Sequence, residues 1–471
     1  MLKKIFGHSF MYTLANNVPL MAGLVTLPLI TPYLTPRDYG VYGLVLAYIG
    51  AITVISTLGL QVFFQNTYFK NKENYIEDWK RYFGLLLAWR IPYALLAYII
   101  LYFTLKKHIP DQIHHVLLIV VSQELLFGLT RLMAMKHCQY EGRHSYVYTT
   151  TFIASLFTIG ISFTCIYFLR LGYLGWIYGN FAAALIQFIL FGYWIHIKYK
   201  VIPVFIFSKE FIKKSLRISF PLIPHDYSNY LLETSDRVVL DLNKIDLSKI
   251  GEYNIAYSFS NYFQSFNRSL NTILSPIYFK LFASKEENTS QTITNITLLW
   301  FFFILFAAGG LGMWSKEIFL FLYRNPDLNK AYKIVPFLMM GMLYRPFYVA
   351  SVDRAIYNEK TKQILKVSLI AGLLNVMLNV IFIPHFGIKA AIVTTFLCYT
   401  YLGFSGFFIK GIKEQVIFNY SPFPFMLIII ASPFLINLLM EIQWEYKLII
   451  SIGFIILAVI LYQLKLKKLV Q

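Results

Sequence analysis

Residues 219–241 read SFPLIPHDYSNYLLETSDRVVLD, a stretch that is long and apolar enough to cross a membrane and yet contains several charges. On one continuous helix Asp226, Glu233 and Arg237 would share a face, because they are spaced i, i+7 and i+11, with Tyr230 between them. Each charge at the centre of a bilayer costs roughly 3 kcal/mol. The stretch therefore predicts a helix that faces a polar cavity built by the rest of the chain.

The composition is that of a polytopic membrane protein. Of the 471 residues, 58% are hydrophobic and 14% are charged, and the mean hydropathy is +0.59. Apolar runs recur from Ser9 almost to Leu464, and a run of about 20 residues spans the hydrocarbon core as a helix. The loops between the runs are too short for a soluble domain. We therefore predict an all-α integral membrane fold.

Fourteen candidate transmembrane spans follow from these runs. They cover approximately residues 9–33, 39–64, 82–105, 112–137, 145–169, 173–197, 212–241, 250–279, 291–314, 331–355, 363–384, 388–409, 422–440 and 446–464. If both termini are cytoplasmic, the inside loops hold 25 Lys and Arg and the outside loops hold 12, as the positive-inside rule requires. Because the basic residues lie at span ends, the net charge of +19 indicates membrane topology, and no nucleic-acid partner is predicted.

Three pairs of loop motifs repeat at nearly constant offsets of 211, 217 and 215 residues. The pairs are 39–44 with 250–255, 139–143 with 356–360, and 171–177 with 386–392. Six spans separate the copies, so both halves would enter the membrane in the same direction, as in transporters with parallel repeats. We predict an N-lobe over residues 1–198, a basic cytoplasmic linker over 199–211, a C-lobe over 212–411 and two extra helices over 412–471.

Several motifs resemble those of the Wzx-type polysaccharide flippases, which move O-antigen or capsule repeat units and belong to the multidrug/oligosaccharidyl-lipid/polysaccharide superfamily. The motifs are LTPRDYGVY at residues 34–42, PLIPH at 221–225, Ser235-Asp236-Arg237 and Gly251-Glu252-Tyr253. The resemblance implies about 14 transmembrane helices in two pseudo-symmetric six-helix lobes plus two C-terminal helices. It also implies translocation of a polyprenyl-diphosphate-linked oligosaccharide from the cytoplasmic to the outer leaflet by alternating access.

The same resemblance implies a place and partners for the protein. It implies a bacterial cytoplasmic (inner) membrane protein of lipopolysaccharide or capsule biosynthesis. Its ligand would be an undecaprenyl-diphosphate-linked glycan, presented among membrane lipids. A polysaccharide polymerase and the chain-length machinery are candidate protein partners.

Once the basic residues near span ends are counted with the adjoining loops, five of the 42 basic residues remain within predicted spans, and all are arginines: Arg90, Arg131, Arg237, Arg268 and Arg345. A guanidinium group offers paired donors that match the oxygens of a diphosphate better than an ammonium group does. We therefore predict that Arg90, Arg268 and Arg345, which lack an acidic residue nearby in sequence, bind substrate. Arg237 is a fourth candidate for this role.

Four acids are candidates for coupling transport to a proton or cation gradient: Asp226, Glu233, Asp236 and Glu124. Removal from water favours the neutral form of a carboxyl group, so such acids can exchange protons. Two alternatives remain open. Glu233 and Arg237, at i and i+4, can neutralise each other, and Glu124 and Arg131 can lock span 4 to a neighbouring helix.

Two sets of uncharged polar residues have helical spacing. Span 8 has a polar face of Asn261, Gln264, Ser265, Arg268 and Thr272, with the donors and acceptors that sugar hydroxyl groups require. Asn375 and Asn379, at i and i+4 in span 11, are more typical of interhelical hydrogen bonds. The cysteines Cys138, Cys165 and Cys398 have no metal-ligand spacing, so we predict packing roles, no metal and no cofactor.

The sequence does not favour an enzyme. It contains no Walker A motif, and its loops are too short for a catalytic domain. Two other transport functions remain as alternatives. A lipid II flippase would also need cations for a diphosphate, whereas a cation-coupled drug exporter typically has an acid in span 1, and residues 5–34 contain none.

Overall fold

The computed structural model describes residues 23–70, 73–206, 208–220, 223–284, 288–408 and 421–470. Within these ranges the regular elements are helices and no β-strand occurs, which confirms the all-α fold class. The described residues form two compact units that divide between Tyr230 and Leu231. We call them the N-terminal and C-terminal units. The predicted lobe and linker limits stay a prediction.

The N-terminal unit is a bundle with an aromatic core. Its helices are α1 (Gly23–Tyr33), α2 (Pro36–Thr53), α3 (Gln61–Lys70), α4 (Tyr75–Leu105), α5 (Ile113–Tyr140), α6 (His144–Phe168), α7 (Leu174–Lys198), α8 (Lys209–Ser219) and most of α9 (Ile223–Glu233). Phe64, Trp79, Tyr82 and Trp194 bring α3, α4 and α7 together in this core.

The C-terminal unit begins with the last turn of α9. Its further helices are α10 (Ser235–Leu242), α11 (Leu247–Ser284), α12 (Thr289–Met313), α13 (Ser315–Leu322), α14 (Pro326–Tyr357), α15 (Thr361–Phe386), α16 (Ile388–Phe408), α17 (Phe423–Leu439) and α18 (Trp444–Val470). In the described residues, eight helices are long and apolar enough to cross a membrane: α4, α5, α6, α7, α12, α14, α15 and α16. The count of about fourteen spans stays a prediction.

Two predicted spans are not continuous helices. The span predicted at 39–64 is divided into α2 and α3 by a turn in which Leu58 and Gly59 have positive φ angles of 50° and 68°. The span predicted at 212–241 is divided into α8, α9 and α10, with a break at Thr234. Arg237 Nη1 donates to the carbonyl of Glu233 at 3.0 Å, and so satisfies an acceptor at the end of α9 that would otherwise lack a partner.

The ends of α5 and α14 support the predicted internal repeat. Arg143 and Lys360 each donate their N–H to the carbonyl five residues earlier, both at 2.8 Å. The residues before them, Gly142 and Glu359, have φ angles of +68° and +58°, as helix ends with a left-handed residue require. Gly142 and Glu359 lie 217 residues apart, which is the offset between the loop motifs at 139–143 and 356–360.

The start of α2 is fixed both locally and by a contact with α7. The Asp38 N–H donates to the Thr35 hydroxyl group at 3.3 Å, and the Thr35 N–H donates to the Asp38 carboxylate at 2.8 Å, which is a capping box. The other oxygen of Asp38 accepts the Tyr173 N–H at 3.1 Å. Part of the motif that resembles the flippase family therefore positions α2 against α7.

A charged clamp attaches the two C-terminal helices to the rest of the C-terminal unit. Lys447 Nζ of α18 lies 2.6 Å from Glu317 Oε1 of α13, and Lys316 Nζ lies 2.6 Å from Glu441 Oε2 in the loop between α17 and α18. The Lys447 side chain is fully buried. We refer to these four residues as the clamp.

Candidate substrate-binding and ion-coupling residues

Helix α11 carries the polar face that the sequence predicts for span 8. Its 38 residues extend about 57 Å at 1.5 Å per residue, enough to cross a bilayer, but its polar side chains keep it outside the set of eight apolar helices. Gln264 is buried, whereas Arg268 and Thr272 reach the surface. The helix therefore presents polar groups both to the interior of its unit and to its surface.

Arg237 lies in a closed cluster inside the C-terminal unit. Only 4% of the residue is exposed, and its guanidinium group donates to Asp236 Oδ1 at 3.0 Å and to Asn254 Oδ1 at 3.2 Å. Its Cζ atom lies 4.1 Å from the centre of the Tyr257 ring. Tyr253 donates to the second carboxylate oxygen of Asp236. Every charge in this cluster is paired, as burial requires.

Arg268 and Glu233 form an ion pair of a different kind. Arg268 Nη2 lies 2.9 Å from Glu233 Oε1, with 47% of the Arg268 side chain and 34% of the Glu233 side chain exposed. The pair joins the end of α9 to the middle of α11 across 35 positions of sequence. A guanidinium group has five N–H donors, so this bond leaves Arg268 with donors for a further ligand.

These contacts decide between the alternatives for Glu233 and show a partner of Arg268. Glu233 and Arg237 do not neutralise each other, because the Glu233 carboxylate pairs with Arg268 while Arg237 pairs with Asp236. Arg268 does have an acidic partner, which local sequence did not reveal because the partner lies on another helix. The prediction that Asp226, Glu233 and Arg237 share one helical face is wrong. The helix breaks at Thr234, so Asp226 and Glu233 lie on α9 and Arg237 lies on α10.

Arg345 follows a short 3₁₀ segment, Met342–Tyr344, within α14. Its Nε atom is buried and has no hydrogen-bond partner among the described residues. Beside it, Tyr344 stacks on Tyr399 of α16, with ring centres 5.0 Å apart and planes at 9°. The Arg345 side chain also hydrogen-bonds to Tyr344, and both rings are buried, so the Nε atom is an unsatisfied donor at a buried position.

In the N-terminal unit, Arg90 of α4 lies beside Glu124 of α5. Arg90 Nη1 donates to the Glu124 carbonyl, and a Cβ atom at Gly128 would lie 3.0 Å from Arg90 Nη1 and 3.1 Å from Glu124 Oε2. The Glu124 carbonyl belongs to a π-helical turn, Gln123–Phe127, where the helix has an extra residue per turn. Arg90 thus has an acidic neighbour from another helix, which the local sequence around Arg90 does not show.

Arg131 and Glu124 both have contacts within the N-terminal unit. Arg131 Nη1 donates to Gln187 Oε1 of α7 at 3.3 Å, and Glu124 lies next to Arg90 of α4. Each links α5 to a neighbouring helix, which agrees with the alternative in which these charges lock span 4. Asp226, the remaining acid, is half-buried on α9.

Asn375 and Asn379 form interhelical hydrogen bonds, as their spacing indicates. Asn379 Nδ2 donates to Asn375 Oδ1 at 3.0 Å, and Asn375 Nδ2 donates to Thr395 Oγ1 of α16 at 3.3 Å. Thr394 of α16 donates to Asn379 Oδ1 at 2.5 Å. All four side chains are buried, so this network joins α15 to α16.

Asp353 of α14 is a buried acid that the sequence reasoning missed. Only 6% of the residue is exposed, Ser275 of α11 hydrogen-bonds to it, and its Oδ2 atom has no partner among the described residues. Its position close to the end of a predicted span made it look like a loop residue. Only the packing of α11 against α14 reveals that it is buried.

The chain matches one family profile, but no curated protein matches it at a significant level. The profile is described as "Polysaccharide biosynthesis protein" and covers residues 6–282, which is more than half of the chain.

Solved transporters share this fold. A structure of the lipid II flippase MurJ in an inward closed conformation has a TM-score of 0.69 and 16% identity, covering 98% of this chain and 100% of that chain. An inward-facing multidrug resistance MATE family transporter of the MOP superfamily has a TM-score of 0.66 and 13% identity, covering 84% and 96%. A MOP superfamily transporter from Pyrococcus furiosus gives 0.62 and 13%, covering 86% and 94%. At these identities the similarity shows the fold, which is that of MOP superfamily transporters.

Proposed function

Because this chain belongs to the polysaccharide biosynthesis protein family, we propose that it is a flippase that moves polyprenyl-diphosphate-linked oligosaccharide repeat units from the cytoplasmic to the outer leaflet by alternating access. It is a multi-pass membrane protein with the MOP superfamily fold. We place it in the bacterial cytoplasmic membrane with both termini in the cytoplasm. It would act by binding and conformational change, without covalent chemistry.

The observation that best supports this proposal is the half-exposed Arg268 on the polar helix α11. Arg268 is bound through one nitrogen to Glu233 and retains further donors in the planar geometry that suits phosphate oxygens. Arg345, with an unpartnered donor beside the stacked rings of Tyr344 and Tyr399, is a second candidate contact.

The other two predicted substrate cations have structural roles in this proposal. Arg237 is buried and its charge is matched by Asp236. Arg90 is buried and holds the π-helical turn of α5 through the Glu124 carbonyl. Neither can exchange its partner for a diphosphate without leaving a buried group unsatisfied, which costs about 1–3 kcal/mol or more.

Glu233 supplies a mechanism for coupling transport to protons. A diphosphate carries more charge and more acceptor oxygens than one carboxylate, so it can replace Glu233 on the Arg268 guanidinium group. The released carboxylate, half-buried and without its cation, is then the proposed binding site of the coupling proton or cation. Substrate binding and proton uptake are linked through this exchange. Glu124, Asp226 and Asp236 are not required as coupling acids.

The direct test compares Arg268→Ala with Arg268→Lys in cells that depend on this protein. Loss of a charge-assisted hydrogen bond predicts transport lower by on the order of ten- to a hundredfold for Arg268→Ala. If bidentate geometry matters, Arg268→Lys restores only part of it. The measurement is accumulation of lipid-linked repeat units in the cytoplasmic leaflet. Arg131→Ala is the matched control, because Arg131 is an exposed arginine bonded to a neutral side chain; full activity of Arg268→Ala would contradict the proposal.

Glu233→Gln separates coupling from binding. It leaves Arg268 without its acid, so we expect tighter binding of a soluble diphosphate and a transport rate that no longer depends on the proton gradient. Binding is measured by calorimetry on purified protein, and transport in vesicles with an imposed pH difference. A gradient-dependent rate in Glu233→Gln would exclude Glu233 as the coupling acid.

A lipid II flippase is the second candidate, because the MurJ structure spans nearly the whole of this chain and lipid II presents the same diphosphate. A drug exporter would not require the paired N–H donors of the Arg268 guanidinium group. The deletion phenotype separates the three functions. Arrested cell-wall synthesis indicates lipid II, loss of surface glycan with normal growth indicates repeat units, and drug sensitivity alone indicates an exporter.

A further inference from the structure

The segment that follows α7 in the N-terminal unit is unusually basic. Residues 198–217 contain six Lys and Arg and a single acid, Glu210. Clusters of four to eight basic residues next to a membrane-spanning helix are typical of surfaces that bind acidic lipids. Composition alone does not establish such a surface, because these charges can also lie free in water.

Several contacts hold this segment against the N-terminal unit. The Val204 N–H donates to the carbonyl of Lys80 in α4 at 3.0 Å, and His196 Nδ1 lies 2.7 Å from the Val201 carbonyl oxygen. Lys80 belongs to the charged start of α4, immediately before its apolar stretch. Since membrane helices change from charged to apolar at the interface, this contact with the start of α4 predicts that the segment lies at the level of the lipid headgroups.

Helix α8 docks through one face and leaves the other free. Phe211 packs on Tyr82 of α4 with ring centres 4.6 Å apart, and the Ser215 and Tyr82 hydroxyl groups lie 2.9 Å apart. Lys213 and Arg217, on the opposite face, are exposed. The apolar face of this amphipathic helix is therefore used for folding, so its basic face is directed away from the unit.

The extended part of the segment exposes apolar side chains beside these cations. Ile202 and Phe205 are each 60% exposed and Ile206 is 76% exposed. Exposed apolar groups flanked by Lys and Arg are what a protein inserts into the boundary between headgroups and acyl chains. We define the linker surface by the exposed side chains of Lys200, Ile202, Phe205, Ile206, Lys209, Lys213 and Arg217.

We propose that the linker surface binds acidic phospholipids, with Phe205 and Ile206 inserted among the acyl chains and the lysine and arginine side chains on the phosphates. Charge complementarity favours an acidic lipid over a zwitterionic one, by about fivefold for each cation that reaches the surface. The exposed apolar side chains favour a lipid layer over a soluble acidic partner. This inference does not depend on the substrate or on the transport function.

The test uses the full-length protein in lipid nanodiscs with a fluorophore at residue 206. Cys138, Cys165 and Cys398 are buried, so Ile206→Cys is labelled selectively. Quenching is measured with doxyl-labelled phosphatidylglycerol and, separately, doxyl-labelled phosphatidylcholine. We expect quenching by both lipids, stronger with phosphatidylglycerol, and a preference for phosphatidylglycerol that falls severalfold when Lys200, Lys209 and Lys213 are changed to Gln.

The matched control changes three exposed lysines of the C-terminal unit to Gln: Lys244, Lys249 and Lys333. It removes the same charge, and we expect it to leave the preference at residue 206 unchanged. Equal quenching by the two lipids in the unsubstituted linker would overturn the proposal. A label quenched by aqueous iodide and by neither lipid would also overturn it, because residue 206 would then lie in water.

Discussion

Arg237 and Arg268 are arginines of one unit with opposite surroundings. Arg237 is enclosed by Asp236, Asn254 and the Tyr257 ring, and nearly all of it is buried. Arg268 has one acidic partner and about half of its side chain is exposed. A ligand can replace a partner only where water already reaches the pair, because a buried charge cannot be left unpaired. Exposure therefore favours Arg268 over Arg237 as the proposed ligand contact and favours a structural role for Arg237.

At the residue scale, Arg237→Ala is expected to destabilise the protein. Removing one member of a buried ion pair costs about 3–5 kcal/mol, and in this variant the buried Asp236 would lose its cationic partner. The measurement is thermal unfolding of purified protein in detergent. Arg268→Ala, which breaks a half-exposed pair, is the comparison and should unfold near the wild-type temperature. Equal loss of stability in both variants would refute the distinction between them.

At the element scale, the break between α9 and α10 determines which charges meet. Arg237 Nη1 donates to the Glu233 carbonyl, which leaves the Glu233 carboxylate free to pair with Arg268 of α11. The charges that looked like neighbours on one helix are thus distributed to separate partners. The π-helical turn of α5 acts in a similar way, because it exposes a carbonyl that accepts from Arg90 of α4.

The contact between α2 and α7 gives a prediction at this scale. Gly172, just before α7, has a φ angle of +55°, and a Cβ atom there would lie 2.4 Å from Asp38 Oδ1. Gly172→Ala combines left-handed strain of about 1–2 kcal/mol with loss of the bond from Asp38 to the Tyr173 N–H. We expect a lower unfolding temperature.

Gly160→Ala is the control for that substitution. Gly160 lies within α6, and a Cβ atom there meets nothing within 4 Å. Alanine is the better helix former, so the protein should unfold at the same temperature or higher. Thermal scans of the two variants under one condition distinguish the effects. A neutral Gly172→Ala would mean that the capping contact does not limit stability.

At the scale of the whole molecule, the clamp makes α17 and α18 part of the C-terminal unit although they lie outside the sequence repeat. Lys447 is fully buried and its Nζ atom also donates to the Met440 carbonyl at 2.7 Å. A buried ammonium group requires such partners. We infer that the two helices move with the C-terminal unit during transport.

Lys447→Met and Glu317→Gln, with the double variant, test the clamp. Each single change leaves a group of the pair without its partner, so we expect a coupling free energy of about 1–3 kcal/mol in a double-mutant cycle of unfolding. Lys330→Met breaks an ion pair with Asp327 in which both side chains are largely exposed, and it should change stability little. If the effects of Lys447→Met and Glu317→Gln were additive, the two side chains would not stabilise each other and the proposed role of the clamp would be wrong.

The clamp should also weaken in acid. The Lys316 ammonium group, followed by the Tyr332 hydroxyl group, holds the pKa of the Glu441 carboxyl below its usual range. Since the folded-state pKa lies below the unfolded value of about 4.3, this stabilisation is complete above that pH and is lost as the pH falls through the folded-state pKa. Glu441→Gln should remove the contribution of this ion pair to the pH dependence of the unfolding temperature. The effect is small, because water reaches the pair.

The sequence by itself determined the fold class and the positions of most helices. Apolar runs about 20 residues long leave a chain few alternatives to membrane-spanning helices, because backbone groups in lipid must bond internally. One pair of the predicted repeat motifs was also visible in the sequence, because the helix ends at Gly142 and Glu359 depend on nearby residues. These properties depend on residues within a few positions of one another.

Only the tertiary structure decided how the charges pair. Glu233 and Arg268 are 35 positions apart, and their contact exists because α9 ends at Glu233 and its last turn lies against α11. The burial of Arg237, and of Asp353 on α14, likewise depends on neighbouring helices. Electrostatic energies change severalfold with burial and separation. A list of charged residues therefore names the candidates, and helix packing decides which of them can meet a ligand.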